Sequence, residues 1–101
     1  MNWDEEARGI LAQLCGMVPA TFRELAEASA REESETLASE RGGEEVEAAD
    51  VVRGWIRMTP PEQRDALVPI IEDLGFDPVE FSDDLQSDEG WGEAEEPPSG
   101  K

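Results

Sequence analysis

Excess negative charge is the feature that most limits how this chain can fold. Its 101 residues include 26 acidic and 8 basic side chains, a formal net charge of −18. Self-repulsion opposes compaction, and Leu, Ile, Val and Phe together number only 20. A charged chain with so few apolar residues folds only if nearly all of them share one core. Because 19 of the 20 precede residue 82, we predict a folded domain over residues 1–85 and a disordered acidic tail over residues 86–101.

The same charge restricts the classes of partner. A phosphate backbone would repel this chain, so direct nucleic-acid binding is excluded, and anionic membrane surfaces require clustered Lys and Arg. No apolar run approaches the ~20 residues that cross a bilayer. The first six residues hold three acids and no basic residue, unlike a cationic signal peptide, so we expect a cytoplasmic chain. The expected partner is a basic protein surface, with no nucleic acid and no membrane.

Apolar spacing predicts helices throughout the domain. The first helix is indicated by apolar residues three or four apart, with Asn2 as its cap and Pro19 as its end, at Trp3, Ala7, Ile10, Leu11, Leu14 and Val18. A second helix is predicted from Thr21, with Glu24 completing a capping box, to Gly42 and Gly43. Its expected inner face comprises Phe22, Leu25, Ala26, Ser29, Ala30, Leu37 and Ala38. We expect residues 32–35 to be its loosest or most exposed part, since that stretch is poorly apolar.

The second half of the domain follows the same pattern. A third helix is predicted from Glu47 or Ala48, with its buried side formed by Val51, Val52, Trp55, Ile56 and Met58. A fourth helix is predicted to begin at Thr59–Glu62, to be kinked or split at Pro69 and to end at Gly75. Its apolar side holds Leu67, Ile70, Ile71 and Leu74, and a short turn from Asp77 follows with Phe81 and Leu85. No segment alternates as a strand would. The predicted fold is an all-α bundle of four main helices and a short terminal helical turn.

The ordered spacing of several residues resembles a known helical module. The pattern reads Trp3-x-x-Glu6-Ala7-x-x-x-Leu11, Pro19-x-x-Phe22-Arg23, Glu35-x-x-Ala38-x-Glu40-x-Gly42-Gly43 and Val46-x-x-x-Asp50-Val51. It is similar to the small C-terminal domain of the light-independent protochlorophyllide reductase B subunit and its stand-alone relatives. The similarity covers residues 3–58, with the first two helices each about one turn longer here, and residues 59–85 form a helical extension.

The resemblance implies a role without catalysis. In the reductase this module is a helical appendage, and the iron–sulfur ligands and catalytic acid lie in other domains, so no catalytic residue is carried onto this sequence. The composition agrees, because the chain has no His and one Cys and offers neither a metal-ligand pattern nor a cofactor motif. Cys15 is interpreted as a small buried residue rather than a redox thiol. We expect no cofactor, no metal and an accessory protein rather than an enzyme, any reductase role being as part of a complex.

Candidate contact residues follow from charge and from one unusual aromatic. Glu32, Glu33, Glu44 and Glu45 are acids crowded where the second helix is least apolar, and Trp91 is an indole in a tail that buries nothing. Trp is a common anchor at interfaces. The acidity itself has three interpretations, namely adaptation to high salt, imitation of nucleic-acid phosphates, and solubility with steering of a basic partner. The sequence predicts a protein-interaction module, with an acidic nucleic-acid mimic that inhibits a DNA- or RNA-binding protein as the alternative.

Overall fold

A computed structural model describes residues 1–86, and their fold is all-α, as predicted. The elements in chain order are β1 (Asn2–Trp3), α1 (Glu5–Gly16), α2 (Ala20–Glu40), β2 (Glu45–Val46), α3 (Ala48–Met58), a 3-10 helix (Pro61–Ala66), α4 (Leu67–Asp73), a second 3-10 helix (Pro78–Phe81) and α5 (Ser82–Gln86). The predicted tail falls outside the described residues apart from Gln86, which ends α5.

The start of α1 differs from the prediction. Asn2 does not cap the helix, because Asn2 and Trp3 are extended and pair in parallel with Glu45 and Val46. Asp4 occupies the N-cap position, and its amide donates to the Val46 carbonyl at 2.9 Å. The prediction that the chain has no strand is therefore wrong at these two short elements, which are too brief to show alternation in sequence. The pairing joins the N-terminus to the α2–α3 connection.

The apolar side of α1 is confirmed. Ala7, Ile10, Leu11 and Leu14 are buried, and Cys15 is buried beside them as the sequence indicated. Trp3 is also buried, and its indole Nε1 donates to Glu35 Oε2 at 2.9 Å. This side of α1 packs against α3 and α2 and forms one wall of the core.

The most extensive helix–helix contact joins α2 to α3, and it passes through the stretch expected to be loosest. That expectation is wrong, because Ser34 is fully buried and Glu35 holds the Trp3 indole. The helices approach closely because Gly54 has no side chain, and a Cβ there would lie 2.9 Å from Ser34 Oγ. Small residues thus replace large apolar ones at this crossing.

The first half of α2 corrects two further predictions. The helix begins at Ala20 after Pro19, with no side-chain cap, so Thr21 does not start a capping box. Phe22 and Leu25 do not belong to the inner face, since they are exposed to 59% and 68%. No residue of α2 before Ala30 is buried. The half of α2 that packs in the core is its second half, through Ala30, Ser34, Leu37 and Ala38.

Helix α3 begins where predicted, with Glu47 as N-cap and a reciprocal capping box between Glu47 and Asp50. Val46 and Val51, the pair that spans this cap, are both fully buried. Trp55 is only half-buried and lies against the edge of the core rather than within it. The prediction that Trp55 lies on the buried side of α3 is therefore confirmed only in part, since Trp55 packs against the core without being fully buried.

The segments that follow α3 add Leu67, Ile71 and Phe81 to the core. The predicted fourth helix is split, with a 3-10 helix up to Ala66 and α4 from Leu67. The prediction that the break falls at Pro69 is therefore wrong. Pro69 lies in the first turn of α4, where its missing N–H costs no helical bond. Gly75 ends this unit with a φ of +96°, which favours glycine. The short turn is confirmed, because Asp77 Oδ1 accepts from the Val79 amide and Phe81 is buried.

Candidate functional site on α2

Arginine side chains hold this fold together and leave the acidic surface largely uncompensated. Arg41 binds Asp50, Arg53 binds Asp84 at 2.9 Å, and Arg57 lies within 4.0 Å of both Glu33 and Asp84. Arg64 is fully buried and donates to three backbone carbonyls, those of Arg57 and Thr59 at the end of α3 and that of Asp84 in α5. These basic residues are engaged in internal contacts, so most exposed acids face solvent.

The Arg41–Asp50 pair fixes the connection that carries β2. Arg41 donates to Asp50 Oδ2 at 2.6 Å and to the Glu45 carbonyl at 3.0 Å, while Asp50 also accepts from the Glu47 amide. Burial alone raises the pKa of Asp50, but the hydrogen bonds from Arg41 and Glu47 and the charge of Arg41 outweigh it, and the pKa is lowered. The pKa of Arg41 is raised, chiefly by its hydrogen bond to Asp50. The pair therefore stays ionised at neutral pH.

The outward side of α2 presents two large apolar residues. Phe22 and Leu25 are three positions apart, so they lie on one side of the helix, and both are exposed. Leu25 is roughly opposite the stripe that contains Ala30 and Ser34, given about 100° of rotation per residue. Glu24, between them in sequence, is exposed as well. We call Phe22 and Leu25 the outward apolar pair.

The inward side of the same half of α2 is polar. Arg23, Glu27 and Arg31 face α1 across a groove of about 520 Å³, whose α1 wall comprises Arg8, Leu11, Ala12, Cys15 and Gly16. Arg23 donates to the Cys15 and Val18 carbonyls at 3.0 and 2.8 Å and so covers the C-terminal end of α1. In the first half of α2, charged residues therefore lie on the same side of the helix that is buried in its second half. We call this cleft the α1–α2 groove.

The acids predicted as contact residues are not all on one surface. Glu32 is exposed and lines a shallow acidic hollow beside Met1, together with Glu35, Thr36, Ser39 and Glu40. Glu45 is exposed in β2 opposite Asn2, and Glu44 precedes it, also exposed. Glu33 is half-buried and lies 3.9 Å from Arg57 of α3. Glu32, Glu44 and Glu45 are therefore open to solvent, whereas Glu33 is engaged in the fold. Trp91, the remaining candidate, lies outside the described residues.

The outward apolar pair was missed by sequence reasoning, although a signal for it was present. Helical spacing places the charged residues Arg23, Glu27 and Arg31 on the same side of α2 as the buried residues Ser34 and Ala38. If the inner side of α2 is defined from the second half of the helix, helical spacing places Phe22 and Leu25 on the solvent side. The error came from assigning every large apolar residue of an acidic helix to the core.

The described residues contain neither a metal-ligand cluster nor a membrane-spanning helix. Within residues 1–86 no three Cys, Asp or Glu side chains converge as a metal site would require. No helix in this range combines the length and the apolar character needed to cross a bilayer.

The fold and its surfaces define a small acidic all-α protein with an apolar pair on one helix and an arginine-lined groove behind it. Residues 1–85 match the family described as "Protein of unknown function (DUF2621)", and the chain belongs to that family. No curated protein matches the chain. No solved structure matches it either.

Proposed function

We propose that this protein is a non-catalytic interaction module that binds a basic protein surface through the first half of α2. The observation that carries the proposal is the outward apolar pair, Phe22 and Leu25, exposed to 59% and 68% on one side of the helix. A chain with so few large apolar residues gains stability by burying them, yet these two are withheld from the core. Paired apolar residues on a helix are the usual anchors for a groove on a partner.

Charge defines the chemistry of the partner. The apolar pair is carried by a chain of net charge −18, and Glu24 and Glu32 are exposed on the same helix. A complementary surface has an apolar cleft bordered by Lys and Arg, and the opposite charges increase the association rate more than the lifetime of the complex. Glu32, Glu33, Glu44, Glu45 and Trp91 remain the proposed secondary contacts, with Glu33 the weakest candidate because it already pairs with Arg57.

The resemblance of residues 3–58 to the reductase module supports an accessory role. In that reductase the module is a helical appendage, and the catalytic residues lie in other domains. We propose by this similarity that the partner is a component of a larger complex.

The first experiment compares capture by matched baits in extracts of the source cell. The double variant Phe22→Ala/Leu25→Ala should lose the partner that the wild type retains. Val79→Ala is the control, because Val79 is exposed to 74% on a different element, and it should bind as the wild type does. Equal capture by all three baits would contradict the proposal.

A second experiment separates steering from anchoring. Changing Glu32, Glu44 and Glu45 together to Gln should slow association with the identified partner and flatten its dependence on salt, with little change in dissociation. Removing residues 87–101, which carry Trp91, should weaken binding if the tail is a tethered second contact. An unchanged association rate in the first variant would refute the role of these acids.

The nucleic-acid-mimic alternative makes a separate demand. It requires that the partner be a nucleic-acid-binding protein and that duplex DNA or RNA compete for the surface that this chain occupies. Failure of both nucleic acids to displace the partner would eliminate the alternative and leave the interaction module standing.

A further inference from the structure

The α1–α2 groove gathers positive charge in an otherwise negative molecule. Arg8, Arg23 and Arg31 line it, three of only eight basic residues, against a single acid, Glu27. Their concentration in one cleft opposes the average charge of the surface. Such local excess attracts anions at contact distance even where the whole molecule repels them, because salt limits the reach of distant charges to ~8 Å at physiological ionic strength.

Two of these guanidinium groups are held in place by the fold. Arg23 uses Nε and Nη2 on the Cys15 and Val18 carbonyls, which leaves Nη1 outside both bonds. Arg31 lies 5.1 Å from the centre of the Trp3 ring and pairs with Glu27 at 3.8 Å. Donors that are fixed before binding lose little conformational entropy when a ligand arrives.

Arg8 differs from the other two. Within residues 1–86 its amide donates to the Asp4 carbonyl at 3.1 Å, but its side chain makes no hydrogen bond or ion pair. The guanidinium of Arg8 therefore does not hold α1 to its neighbours. Its removal would change the charge of the groove without loosening α1 from α2.

The floor of the groove is apolar and has room. Leu11 and Cys15 are almost fully buried there, and Ala12 and Gly16 add small surfaces. A Cβ placed on Gly16 would meet no atom within 4 Å. Burial, aided by the charge of Glu27, raises the pKa of the Cys15 thiol against the opposite effect of Arg23, so the floor stays uncharged at neutral pH.

We infer that the α1–α2 groove is a binding site for a small organic anion, a carboxylate or phosphate monoester joined to a compact apolar group. The anionic end is bound by Arg8 and Arg23 at the rim, and the apolar end lies over Leu11 and Gly16. The volume of about 520 Å³ is in the lower part of the range for ligand pockets and suits one ring or a short aliphatic chain. The site is separate from the outward apolar pair, so the inference does not depend on the proposed function.

The test uses phenyl phosphate as the probe, at physiological ionic strength, monitored by amide chemical shifts of the isotope-labelled full chain. Phenyl phosphate should give saturable shifts at residues of the groove, whereas inorganic phosphate should bind more weakly and phenol should give no saturable shift. Arg8→Gln should weaken phenyl phosphate by about tenfold or more, the value of one charged hydrogen bond. Gly16→Leu, which fills the groove, should abolish the shifts.

The matched control is Gly9→Leu, since Gly9 is on the same helix with equally open space around a Cβ but does not line the groove. It should bind phenyl phosphate as the wild type does. The inference is overturned if groove amides show no saturable shift, if inorganic phosphate binds as tightly as phenyl phosphate, or if Arg8→Gln and Gly16→Leu bind like the control.

Discussion

Gly54 shows how a single missing side chain determines the packing of two helices. A Cβ at this position would lie 2.9 Å from Ser34 Oγ and 3.2 Å from the Ser34 amide nitrogen. Gly54→Ala therefore forces α3 away from α2, and we expect it to lower the free energy of unfolding by about 1–3 kcal/mol, the usual cost of overpacking. Chemical denaturation measures the change.

Two further variants make that result interpretable. Ser34→Ala in the Gly54→Ala background should recover part of the loss, because it removes the nearest atom of the clash. Gly9→Ala should stabilise α1 by about 0.5–1 kcal/mol, since Gly9 has open space and alanine favours the helix. A Gly54→Ala protein as stable as the Gly9→Ala protein would show that the helices do not approach as described.

Asp50 should make stability depend on acid pH. Its pKa is lowered in the folded state, so its contribution is present above the unfolded pKa of ~3.9 and is lost as pH falls through the folded pKa. Asp50→Asn should cost about 1.5–3 kcal/mol at pH 7, the value of hydrogen bonds to a charged group. The stability difference from wild type should shrink towards zero below pH ~4.

The control for Asp50→Asn removes one negative charge from an aspartate that makes no ion pair in the described residues. Asp73 is exposed at the end of α4, so Asp73→Asn should leave stability unchanged or slightly raised at pH 7 because it reduces self-repulsion. Denaturation curves across the acid range compare the three proteins. Parallel pH profiles for Asp50→Asn and wild type would contradict the role of the Arg41–Asp50 pair.

Among the elements, α5 depends on one carboxylate for its attachment to α3. Asp84 accepts from Arg53 at 2.9 Å, lies near Arg57, and contributes its carbonyl to Arg64. Asp84→Asn should release α5 at a cost of about 1–3 kcal/mol, detectable as faster amide hydrogen exchange in residues 82–86. Asp83→Asn, an exposed neighbour, should leave exchange unchanged, and equal exchange in both variants would refute this attachment.

The elements that sequence reasoning placed correctly are those with a clear apolar side. In α1 and α3 large apolar residues recur at helical spacing and most of them are buried. Gly75 and Asp77 carry turn signals that depend only on their immediate neighbours in sequence. The β1–β2 pairing could not be predicted because two residues give no period and the partner is distant in sequence. The α2–α3 crossing was missed because Ser34 and Gly54 pack by being small, which hydropathy does not record.

The candidate surfaces were predicted less well, because they depend on how the helices are placed relative to one another. Sequence reasoning identified the acids Glu32, Glu44 and Glu45 from composition, and the structure leaves them exposed. It could not bring Arg8 of α1 and Arg31 of α2 to one groove, because that requires the relative orientation of two helices. It assigned the outward apolar pair to the core because hydrophobicity alone does not reveal which side of a helix has a neighbour.

At the scale of the whole molecule, repulsion among the acids should limit stability. The net charge is −18, and salt shortens the range of that repulsion. The melting temperature at pH 7 should therefore rise as sodium chloride is increased from a low to a moderate concentration. Circular dichroism measures this melting temperature. A decrease over the same range would mean that the internal arginine pairs contribute more than the repulsion costs.

The central claim is that Phe22 and Leu25 contribute to binding and not to folding, and the free energy of unfolding tests it most directly. Phe22→Ala/Leu25→Ala should unfold within about 0.5 kcal/mol of wild type in a urea titration, as surface changes do. Leu37→Ala, at a buried position of the same helix, should lose about 2–5 kcal/mol. A loss in the double variant as large as that of Leu37→Ala would place the pair in the core and contradict the account.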